Sequence, residues 1–132
     1  MLNISLLKRI IALLFIVGFL DIIAYIFYFH WIFWWYDVTL HFLAGYSVGM
    51  TIVFVWGYFF DLSITSKIKM LCIAVIGSFI IGFLWEIYEL LVKQTSLTDG
   101  LFYWWDTISD LILDTCGGFF GALYSYKIID KK

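Results

Sequence analysis

The chain contains no proline. No helix in it can be kinked or stopped by a pyrrolidine ring, so any break in a long helix needs another cause. Basic residues are scarce too: eight Lys and Arg stand against ten Asp and Glu, for a formal net charge of -2. No cluster of them is large enough to track a phosphate backbone, which argues against a nucleic-acid binder. Only two cysteines occur, Cys72 and Cys116. They fall at different depths of the topology below and are expected to be unpaired, small apolar packing residues. Neither HExxH nor ExxH is present, which leaves a zincin or a carboxylate di-iron bundle with little support. Charged residues make up 14% of the chain, against about a quarter in soluble domains.

What fills the chain instead is oil and rings: 64% hydrophobic residues, 23% aromatic, and a mean hydropathy of +1.01. Apolar runs repeatedly exceed the roughly 18 residues that mark a membrane-spanning helix. The expected fold class is an all-α polytopic membrane protein, with residues 1–132 forming one integral membrane domain. Four spans are expected, at roughly 6–29, 38–60, 69–92 and 107–127, each long enough for a hydrocarbon core of about 30 Å. The N-terminal run is too long for a signal-peptide core and has no small-x-small cleavage site, so it reads as a retained first helix. The aromatic clusters "WIFWWY" and "LFYWW" fall in the connections on one side, as interfacial belts. On the other side fall Lys8, Arg9, Lys67, Lys69, Lys127, Lys131 and Lys132, leaving only Lys93 opposite. By the positive-inside rule both termini are cytoplasmic, in a multi-pass protein of the cell membrane.

Against this background the acids stand out. Asp106, Asp110 and Asp114 sit four apart in "DTISDLILDTCGG", with no Lys or Arg to neutralise them. Asp37 and His41 share one face of the second span, and Glu86 and Glu89 share one face of the third. Asp21 lies in the first span, and His30 reads as an interface residue. On the expected topology all of these belong to the outer half. Left unpaired in lipid, Asp21, Glu86, Asp110 and Asp114 would together cost on the order of 10 kcal/mol, so they must point inward and find partners. The partner can be a proton, water in an outward-open cavity, or a cation. Many carboxylates and one imidazole make a candidate metal set: Glu86, Glu89, Asp106, Asp110, Asp114 and His41. The ion would be divalent, Mg²⁺, Mn²⁺ or Ca²⁺ on oxygen ligands, with Zn²⁺ or Fe admitted by His41. His41 and Asp37 are the candidate general bases, although Asp37 and Asp106 also stand where a helix cap would. Gly45 and Gly49, and Gly117 and Gly121, form two GxxxG pairs that allow close helix contact. "WWYDVTLHFLAG" and "YWWDTISDLILD" echo each other weakly, as two parallel hairpin repeats would.

Three of these elements carry a resemblance. "DVTLH" (Asp37 to His41), "EIYE" (Glu86 to Glu89) and "DLILDTCGGFFG" (Asp110 to Gly121) match in order and spacing the elements of the VanZ-like superfamily and related small bacterial inner-membrane families. The VanZ-like pattern runs Asp-Lys-x-x-His, then Glu-x-x-Gln, then Asp-x-x-x-Asn-x-x-Gly-x-x-x-Gly. Here Val38 replaces the lysine, Glu89 the glutamine and Asp114 the asparagine, and no arginine precedes the last element. The resemblance implies a bundle of four or five helices and a role in the cell envelope or with its lipids, not a particular reaction.

Three functions follow as expectations. The first is an envelope membrane protein whose outer-facing acidic pocket binds a lipid or envelope ligand, with a divalent cation as the bridging partner. The second is a metal-dependent enzyme acting on a phosphate-bearing lipid headgroup or a polyprenyl-phosphate intermediate. The third is a subunit of a proton or cation pathway, of which acid ladders are typical; no strongly polar residue of the inner half completes such a path. The lipid bilayer is the expected surrounding, with a homo-oligomer compatible with each reading.

Overall fold

The computed structural model describes residues 4–60 and 65–129. Every regular element among them is helical: α1 (Ile4–Ile26), a single turn α2 (Phe29–Ile32), α3 (Trp34–Phe59), α4 (Lys67–Leu91), a short 3₁₀ turn (Leu97–Asp99) and α5 (Leu101–Ile129). Lys131, Lys132 and part of the connection between the second and third expected spans lie outside the described residues.

Without proline, the helices end by other means. Tyr28 takes a left-handed conformation (φ 59°), which stops α1 and starts α2, and an extended Phe33 separates α2 from α3. Lys93 (φ 60°) and Gly100 (φ 63°) bracket the connection between α4 and α5. Ser66 caps α4 by accepting the Lys69 N–H at 3.2 Å. The first expected span therefore closes three residues early, and the aromatic clusters expected in connections are helical: Trp34 to Tyr36 open α3, and Leu101 to Trp105 open α5. Asp37 and Asp106 are accordingly not caps. Asp37 sits in the first turn of α3, whose N-cap is Phe33 with no side-chain cap bond, and Asp106 sits in the second turn of α5.

Three helices, α1, α3 and α4, are long and apolar enough to cross a membrane. The fourth expected span, α5, has the length at 29 residues but carries Asp106, Asp110 and Asp114. It packs along α3 and α4, and α3 in turn packs against α1, α4 and α5. A Cβ at Gly45 would overlap the Asp114 backbone, one at Gly49 the Gly118 backbone, and one at Gly121 the carbonyl of Tyr46. Both GxxxG pairs thus lie in one seam, and the rising residue numbers on each side make α3 and α5 parallel. The α4 pairings run the other way: Gly82 meets Asp114, and Glu86 meets Thr107. Near the ends of the chain, Leu6 and Ile10 pack with Met50, Tyr124, Ile128 and Ile129. The two ends of the described chain therefore lie at the same end of the bundle. Arg9 bonds the Tyr124 hydroxyl there, and Lys67 stands over the Tyr126 ring. The outer surface is oily, with Phe15, Phe19, Ile80, Phe102 and Trp105 exposed. In water that surface would drive association; in lipid it is the favourable one.

Candidate functional site

The acids converge at the end of the bundle away from the chain ends, and His41 is their centre. Its position on α3, one turn after Asp37, puts both on the face that meets α5. The His41 Nε2 lies 3.9 Å from Asp37 Oδ1 and 3.8 Å from Asp110 Oδ2. Its Nδ1 lies 3.3 Å from Asp114 Oδ2. His41, Asp110 and Asp114 are buried and Asp37 is half-buried. Asp110 and Asp114 arrive together because they are one turn apart on α5. Asp114 is held from three sides. Gly45 admits its backbone, and Gly82 on α4 leaves space for its carboxylate, which a Cβ there would strike. With Nδ1 as the donor to Asp114, the Nε2 lone pair faces Asp37 and Asp110.

That arrangement can hold a cation. Asp37, His41 and Asp110 each offer one ligand atom, all within 4.8 Å of one another. Two donors held at about 2.1 Å from one ion lie at most about 4.2 Å apart, and the two contacts of Nε2 fall inside that limit. Asp114 then plays the part of the carboxylate that orients a ligating imidazole through its second nitrogen.

His30 belongs to the same network, which its place in the sequence did not suggest. The turn at Tyr28 swings α2 inward, so His30 Nδ1 bonds Asp37 Oδ1 at 2.7 Å and Nε2 approaches Asp21 Oδ1 at 3.4 Å. The Tyr36 hydroxyl donates to the Leu20 carbonyl at 3.0 Å and ties α3 to α1 beside Asp21. Burial alone would lower the pKa of the His30 imidazole; its contacts with Asp21 and Asp37 outweigh this and raise it to about 9. The side chains of five residues thus alternate acid and imidazole across the bundle: Asp21, His30, Asp37, His41 and Asp114.

The other expected site residues stand outside the three-residue donor group. Glu86 is buried on α4; its Oε2 accepts the Thr107 hydroxyl at 2.8 Å, and its Oε1 has no hydrogen-bond partner among the described residues. Glu89 accepts the Trp85 indole N–H at 2.9 Å and the Gln94 amide at 3.5 Å. Asp106 is exposed. The cysteines are unpaired, but both are exposed on the bundle surface and not the packing residues expected from the sequence. Thr107, Gly82 and Trp85 are further contributors that no motif singled out.

A cavity of about 260 Å³ opens beside His41. One end is polar, with Asp21, His30, Asp37, His41, Glu89 and Asp114. The rest, between α1, α3 and α4, is apolar apart from Ser78.

The chain belongs to the family described as "Predicted membrane protein (DUF2238)", whose model matches residues 2–131. No curated protein and no solved structure matches it.

Proposed function

For this member of a membrane-protein family, we propose a membrane-embedded binding function: a phosphate-bearing lipid or envelope ligand is held through a divalent cation on Asp37, His41 and Asp110. The observation that carries it is the donor triangle itself, with the rear nitrogen of His41 oriented by Asp114. Two carboxylates and one imidazole suit Zn²⁺ or Mn²⁺ better than Ca²⁺, which takes about six to eight oxygens. Three protein ligands leave coordination positions for a ligand oxygen. A cation also answers the energetic question, since it neutralises buried acids that have no Lys or Arg beside them. The VanZ-like spacing supports the reading, because all three matching elements lie on helices that build this pocket. In this reading α5 is the fourth span. It covers about 43 Å at 1.5 Å per residue, and Asp110 and Asp114 are shielded by α3 and α4. The basic residues at the end of the bundle shared by the chain ends put that end in the cytoplasm, and the site in the outer half of the cell membrane.

Elemental analysis tests the proposal. The protein, exposed to Zn²⁺ or Mn²⁺ in mild detergent and then desalted, should carry about one ion per chain. The Asp37→Asn/Asp110→Asn double variant should carry none, and His30→Gln should keep its ion. A wild-type protein that stays metal-free sinks the proposal.

One observation favours a second reading. The alternating acids and imidazoles from Asp21 to Asp114 resemble a proton relay. Under that reading metal-free protein in liposomes conducts protons, and His41→Ala abolishes the flux.

A further inference from the structure

We infer that the apolar arm of the cavity is a slot for one hydrocarbon chain of a phosphate-headed lipid, which enters sideways from the bilayer between α1 and α4. The inference rests on the reading of the polar end as a cation-assisted headgroup site, and adds where the rest of the ligand lies.

Three observations support it. First, the acidic and imidazole groups of the cavity all lie at one end. Away from His41 its walls are Leu14, Val17 and Gly18 of α1, Val48 of α3 and Ile81 of α4. Second, α1 packs along α3 but forms no comparable packed face with α4. The seam between these two helices faces lipid, since Phe15 and Phe19 on one side and Ile80 on the other are exposed. Third, a Cβ at Gly18 would meet nothing within 4 Å, whereas Gly45, Gly49, Gly117 and Gly121 are closed against neighbouring helices. Glycine in α1 therefore leaves space here that no side chain fills.

An apolar void beside lipid forgoes dispersion contacts with whatever could fill it. A chain sliding in from the bilayer restores those contacts without leaving an apolar medium, while its headgroup reaches the end that carries the acids and imidazoles. The cavity lies just below the range of about 300–1,000 Å³ that holds whole drug-sized ligands. It therefore takes a small headgroup and the first segment of one chain, with the rest of that chain left in the bilayer, not two chains.

The test is photolabelling of the full chain in phosphatidylcholine nanodiscs with Mn²⁺. The probe is phosphatidic acid carrying a diazirine in one acyl chain, and adducts are mapped by mass spectrometry. Adducts should appear on Leu14, Val17 and Ile81. Gly18→Phe should reduce them at least about tenfold, leave labelling of outward-facing Phe15 and Phe19 unchanged, and leave the ion content unchanged. Gly18→Leu serves in its place should Gly18→Phe not fold. The matching diacylglycerol probe, which lacks the phosphate, should label the slot less. Adducts confined to Phe15 and Phe19, or interior adducts indifferent to Gly18→Phe, overturn the slot. Equal labelling by the two probes overturns the phosphate-headed occupant. Interior adducts in a protein that binds no metal would instead leave the slot standing and remove the cation.

Discussion

Residue by residue, the site is built from one imidazole and the space made for its partners. Gly82 is the clearest case. It touches no ligand, yet a Cβ there would strike the Asp114 carboxylate and not a backbone atom. Gly82→Ala should therefore leave the fold intact, tilt the Asp114 carboxylate away from His41, and weaken metal affinity by about 10- to 100-fold, as loss of an orienting partner does elsewhere. Calorimetric titration with Mn²⁺ measures this; unchanged affinity would show that Asp114 does not orient His41. His30 gives a pH prediction. Its pKa is raised from 6.5 to about 9 by Asp21 and Asp37, so its bound proton stabilises the folded state. That contribution is complete below about pH 6.5 and lost as pH rises through about 9. Melting temperature in detergent with a chelator should fall across this window, and His30→Gln should flatten the fall; identical profiles would contradict it. The i, i+4 spacing made Asp37 with His41, and Asp110 with Asp114, legible from sequence. His30 was not legible, because it reaches Asp37 across a helix break that no proline or glycine signals.

At the scale of elements, the seam between α3 and α5 organises the bundle. The two GxxxG pairs were visible in the sequence, but not that they line one seam, since glycine spacing carries no partner. Gly49→Ala and Gly121→Ala each force a methyl into opposing backbone and should destabilise by about 1–3 kcal/mol. Gly18→Ala, placed in open space inside α1, should not destabilise and should gain about 0.5–1 kcal/mol from helix propensity. Thermal unfolding of the three variants in one detergent decides this; equal melting temperatures would mean that the seam is looser than described. The helix starts were the least legible feature. Bulky aromatic runs read as interfacial connections, but Trp34 to Tyr36 and Leu101 to Trp105 are the first turns of α3 and α5, because rings at the helix surface favour the interface as well as rings in a loop do.

For the whole molecule, length and hydropathy mark α1, α3 and α4 as able to cross a membrane, while the run expected as a fourth span forms α5, whose Asp110 and Asp114 are buried in the bundle. The same geometry joins the two ends of the described chain at one end and the acids at the other. If the basic end is cytoplasmic, a cysteine placed at Ser96, between α4 and α5, should react with an impermeant maleimide added to intact cells. One placed at Ser66, before α4, should not. The reverse pattern would invert the molecule and turn the site to the cytoplasm.

Whether His41 ligates a divalent cation together with Asp37 and Asp110 is decided by pulsed electron paramagnetic resonance of Mn²⁺-loaded protein, read for coupling between the ion and an imidazole nitrogen. A nitrogen coupling should be present in wild type, retained in His30→Gln and absent in His41→Ala. A signal without nitrogen coupling in wild type, or one that survives His41→Ala, would contradict this ligation.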